Sequence, residues 1–145
     1  MKEFIHHRWL CITPMMNALP LLYYWRYKEH TRILTFISFF IACLMLSTIL
    51  FWYSPIQNGY IHNIDKAIVY FIGFLSIGYI LFYKLFCQNI HRYVWFLYGM
   101  ILAAGTYFLY LSNYYSTIEW CSDDHIISHF WFHLIAKPSI WFVFI

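Results

Sequence analysis

The chain has 145 residues, of which 63% are hydrophobic and 10% charged, with a formal net charge of +3. A soluble domain carries roughly 25% charged residues, so too little polar surface is available here to cover a water-soluble globule, and most apolar side chains must face lipid or each other. No basic run is dense enough for nucleic acid, and Cys11, Cys43, Cys87 and Cys121 show neither a CxxC metal spacing nor a disulfide framework.

The first residues, Met1 to Trp9, contain Lys2, Glu3, His6, His7 and Arg8. No small-residue cleavage pattern follows them, so a removable signal peptide is not expected. A bilayer-spanning helix needs about 20 apolar residues. Residues 9–25 form the weakest candidate, because Pro14 and Pro20 would kink it. Four stronger candidates follow at residues 33–53, 67–86, 93–112 and 126–145. The last contains His129, His133 and Lys137. The fold expected is a single all-α domain, a polytopic transmembrane helical bundle of about five spans. Tyr and Trp clusters, within an aromatic content of 25%, suit the membrane interface. Gly73, Gly78 and the run Ala103-Ala104-Gly105 would let helices approach closely, and Asn17, Ser38, Ser76 and Thr106 would bond carbonyls or neighbouring helices. Cys43 and Cys87 read as packing residues.

Orientation follows from the cations in the loops. Arg26, Lys28 and Arg32 lie between the first two spans, and Lys84 and Arg92 between the third and fourth, so both loops are expected to be cytoplasmic. The loop Ser54 to Lys66 carries one Lys and one Asp. The loop Ser112 to His125 carries Glu119, Asp123 and Asp124 without a cation. Both are expected on the outer or lumenal side, which also puts the N-terminus outside.

Ionisable groups inside a membrane are costly, so each is a candidate functional residue. In Asp123-Asp124-His125-Ile126-Ile127-Ser128-His129-Phe130-Trp131-Phe132-His133 the three histidines recur every four residues and share one helix face. Successive members lie about 6 Å apart along the axis. An adjacent pair at this spacing can hold one metal ion. It can equally sit at the interface or bond a neighbouring carbonyl, and spacing leaves both readings open. His129 and His133 are the deeper pair, and His125 lies at the solvated entrance. Asp65 opens the third span, where a helix dipole favours an acid. Ser47 lies near the outer end of the second span, where a serine commonly bonds its own helix. By the orientation above, Ser47, Asp65, His129 and His133 all lie at one depth on the outer side. Together they make a plausible zinc site with an activated water.

These residues resemble the pattern of the CREST superfamily, which includes the alkaline ceramidases, the progestin and adiponectin receptors and myomaker. Ala18-Leu19-Pro20, Ser47-Thr48-Ile49-Leu50-Phe51-Trp52-Tyr53, Ile64-Asp65 and His129-Phe130-Trp131-Phe132-His133 follow its order, most closely that of the myomaker branch. The resemblance implies zinc on His129 and His133, with Ser47 and Asp65 around the metal-bound water. Two departures stand out. Phe51 occupies the position of the family's first zinc-binding histidine, and five spans stand where the family has seven. His62 or His125 would have to substitute.

The function expected is that of a zinc-dependent hydrolase of a lipid amide or ester, its partner a membrane lipid. Asp65 would orient or deprotonate the water and Ser47 would hydrogen-bond the oxyanion. The alternative is a catalytically inactive protein of the same fold, serving fusion, assembly or lipid binding. A transporter is favoured least, because no continuous polar stripe is visible along a span.

Overall fold

The computed structural model describes residues 7–88 and 90–145. Lys2, Glu3 and His6 lie outside the described residues. Two 3-10 segments, His7–Cys11 and Thr13–Asn17, lead into helix α1 (Ala18–Tyr27). Helices α2 (Arg32–Tyr53), α3 (Tyr60–Cys87), α4 (Arg92–Ile118) and α5 (Asp123–Phe144) follow. No strand occurs among the described residues.

The first predicted span is not one helix. Pro14 stands at the start of the second 3-10 segment, where its missing N–H costs nothing. Pro20 lies in the first turn of α1 for the same reason. The ten residues of α1 are too few to cross a bilayer. Three helices are long and apolar enough to do so: α2 with mean hydropathy 2.5, α3 with 1.8 and α4 with 1.6. Their surfaces agree, with Phe74 78%, Phe82 77% and Phe96 71% exposed, a density of bare aromatic surface that water does not tolerate.

The helices pair as α2 with α3 and α4 with α5. By contrast α3 and α4, although consecutive in the chain, hardly touch, and only 11% of the apolar stretch of α4 is buried. An open seam therefore runs between them. Of the glycines expected at close crossings, Gly73 and Gly105 lie beside this space. A methyl group added at Gly73 or Gly78 would meet nothing within 4 Å, and one at Gly105 would meet only Ile135 at 3.9 Å.

One apolar core joins the helices through Tyr24, Ile41, Ile72, Ile80 and Phe144. A smaller one, where α2 ends and α5 begins, gathers Leu10, Phe51, Trp52 and Ile126. Near the end of α3, Tyr79–Lys84 form a π-helical stretch before a last α-helical turn, Leu85–Cys87. The stretch ends on buried Lys84, whose ammonium donates to the Phe142 carbonyl of α5 at 2.6 Å. Cys87, expected to pack, is exposed.

Candidate functional site

At one end of the bundle, which the loop charges assign to the outer side, α3 and α5 begin with the same local device. Helix α5 is capped by Ser122, whose hydroxyl accepts from the His125 N–H at 3.3 Å, while His125 Nδ1 accepts from the Cys121 N–H at 3.2 Å. In α3 the cap is Gly59, and His62 Nδ1 accepts from the Asn58 N–H at 2.9 Å. Each histidine stands three residues after its cap, where a capping box places Glu or Gln. Asn58 and Cys121 have φ of 57° and 58°, the two non-glycine residues with positive φ among those described. The left-handed turn points each N–H back at the imidazole.

The two histidines flank Trp120, with ring centroids 5.2 Å and 4.9 Å from it. Phe51 stacks on His62 at 4.7 Å with the rings 9° apart. Phe51 thus helps to hold His62 in place. His125, expected in solvent, is buried.

Asp65 lies in the second turn of α3 and does not open it, because the helix already starts at Tyr60. Ser47 Oγ and Thr48 Oγ1 of α2 both donate to Asp65 Oδ1, each at 2.7 Å. All three residues are buried. This cluster ties α2 to α3 through a carboxylate that would be costly to bury without donors. Ser47 stands behind Asp65, outside the lining of the cavity described next, so it positions the carboxylate and does not face an oxyanion.

A polar cavity of about 320 Å³ opens at this end of the seam. Asp65, His129 and His133 all line it, with His62, His125 and Ser112. His129 Nδ1 pairs with Ser112 Oγ at 2.8 Å, and its ring centroid lies 4.7 Å from that of His133. His133 Nε2 is buried without a hydrogen-bond partner among the described residues. The cavity meets an apolar groove of about 340 Å³ deeper in the seam. Val69, Tyr70, Leu109, Phe132 and His133 border both spaces. Lys137, one turn beyond His133, lines the groove. One face of α5 therefore presents His125, His129, His133 and Lys137 to the seam, a longer polar stripe than the sequence reading allowed.

The donor set does not complete a zinc site. A metal-bound histidine offers a bare nitrogen and donates its other N–H outward. His62 and His125 accept a backbone N–H at Nδ1, so their neutral rings carry the proton at Nε2. Neither nitrogen is then available to a metal unless the cap is broken. His129 and His133 remain, and among the described residues no three His, Cys, Asp or Glu side chains gather to hold one ion.

Thr48, Ser112 and the capping role of His62 and His125 escaped the sequence reading. The G-x-x-H and S-x-x-H patterns at Gly59–His62 and Ser122–His125 were the available signal. No protein-family model matches the chain, and no curated protein or solved structure matches it.

Proposed function

We propose that the chain is a multi-pass integral membrane protein that binds a membrane lipid in the seam between α3 and α4. Helices α2, α3 and α4 cross the bilayer. Helix α5 crosses beside them with its histidine and lysine face turned to the seam, and residues 9–25 complete a five-span bundle as a broken segment. The supporting observation is the continuity of a polar cavity with an apolar groove along a seam that neighbouring helices leave open. An amphiphile needs both surfaces side by side, and lateral access lets it enter from the bilayer.

Native mass spectrometry after extraction in a mild detergent tests this reading. Retained lipid on the wild-type chain, lost in Gly73→Trp, is the expected result. The indole fills groove space that is empty beside Gly73 and meets no clash at its Cβ. A lipid-free wild-type chain would exclude the proposal.

The hydrolase reading is favoured by one observation, that Asp65, His129 and His133 line a single cavity. It requires bound metal. Stoichiometric zinc on the purified chain, lost in His133→Ala, would establish that reading; zinc-free chain that still retains lipid leaves the binding reading alone.

A further inference from the structure

Buried polar atoms in proteins almost always find partners. Around the apolar groove Thr48 does, through Asp65, but four other residues do not. The amide nitrogen and oxygen of Asn17, the Ser76 hydroxyl, the Tyr98 hydroxyl and His133 Nε2 have no hydrogen-bond partner among the described residues. All four residues border the groove and are at least nine-tenths buried. By contrast Ser38 and Thr106, also in apolar helices, return their hydroxyls to Thr35 and Leu102 carbonyls at 2.8 Å. Helical serines and threonines can satisfy themselves in this way, so Ser76 is an exception.

Lys137 is the charged residue of this set. It is 7% exposed, and no hydrogen bond or ion pair to a described residue engages its ammonium. No Asp or Glu lines the groove. Lysines in membrane interiors normally pair with an acid or with carbonyls. The other buried lysine among the described residues follows that rule, since Lys84 binds the Phe142 carbonyl. The groove thus holds one uncompensated cation beside hydroxyl and amide donors. Asp65 does not pair with Lys137, since it lines the neighbouring cavity and not the groove.

We infer that the groove receives a single-chain amphiphile by a compact oxyanion, a carboxylate or a sulfate, held by Lys137 with Tyr98, Ser76 and Asn17. This deepens the lipid-binding reading by naming the charge of the ligand, and it rests on that reading. The oxyanion supplies acceptors to a donor-rich set and the counter-charge to Lys137. Its alkyl chain leaves through the mouth of the seam, where Tyr70 and Phe74 are 58% and 78% exposed, into the bilayer.

The test uses the full chain in nanodiscs of zwitterionic lipid at neutral pH, with spin-labelled stearate and its uncharged methyl ester as probes. Immobilisation of each probe is read by electron paramagnetic resonance. The expected result is selective retention of the stearate over the ester. Lys137→Met should weaken stearate retention about tenfold or more, the factor for losing a charge-assisted hydrogen bond, and Lys137→Arg should restore most of it. Equal retention of both probes by the wild-type chain would overturn the oxyanion while leaving lipid binding intact. Selectivity that survives in Lys137→Met would overturn it as well. Retention of neither probe would overturn both readings. The comparison of the two probes on wild-type protein needs no variant to fold.

Discussion

Removing the Thr48 hydroxyl gives the sharpest test of how α2 is fastened to α3. Asp65 is 7% exposed, and two hydroxyls donate to one of its oxygens at 2.7 Å. A hydrogen bond to a charged group contributes about 1.5–3 kcal/mol. Thr48→Val keeps the shape and removes one donor, so it should destabilise the protein by about that amount, roughly tenfold to a hundredfold in the unfolding equilibrium. Ser47→Ala should cost a similar amount, since its shorter contact is to Asp65 and its longer one, 3.1 Å, to the Leu44 carbonyl. The double variant should lose more than the two singles together, because the last donor removed leaves a buried carboxylate bare. Reversible unfolding in mixed micelles, run as a double-mutant cycle with Thr48→Ser as the conservative control, measures all four states. Stability of Thr48→Val within about 0.5 kcal/mol of wild type, the usual scatter of a surface substitution, would refute the reasoning.

Three further outcomes follow from the same geometry. His125→Ala should cost about 1 kcal/mol for the lost cap, more with the lost packing on Trp120, whereas His125→Gln should recover part of it because glutamine caps from this position; thermal unfolding in detergent compares the two. Lys84→Met should destabilise the inner end by about 1–3 kcal/mol, since it leaves the Phe142 carbonyl without its donor, and hydrogen exchange should rise selectively in the last turn of α5. Cys87 is exposed at the inner end, whereas burial raises the Cys121 thiol above its ordinary range, so an impermeant maleimide should label Cys87 fast from one side of the membrane and Cys121 slowly from the other; equal rates from one side would contradict the orientation.

The long helices were legible because nothing local opposes them. Helix α2, Arg32–Tyr53, ends where the apolar run ends, whereas α4 continues to Ile118, past the expected end at Ser112 and through Asn113, Ser116 and Thr117, whose last two hydroxyls return to carbonyls of their own helix. Residues 9–25 misled because hydropathy ignores backbone geometry, and the two prolines split that run into short pieces. The start of α3 was placed too late, since Tyr60 to Lys66 is polar enough to read as loop while Gly59 and the His62 cap extend the helix through it. Convergence of Asp65, His129 and His133 was readable from depth alone. The role of Ser47 was not, because a serine's partner depends on which helix lies beside it, and pairing of α2 with α3 is a tertiary fact. Likewise Asn17, Ser76 and Lys137 looked like packing or incidental residues one by one. Their lack of partners at the wall of one groove separates them from Ser38 and Thr106, whose hydroxyls are satisfied within their own helices.

The account depends on the space between α3 and α4 being open to the bilayer. A bimane fluorophore attached at Gly73→Cys, in a chain whose native cysteines are replaced by serine, reports on it directly. Reconstitution with lipids brominated along the acyl chain should quench the fluorophore strongly, and aqueous iodide should leave it bright. Insensitivity to brominated lipid would show that protein closes the seam and would contradict the account.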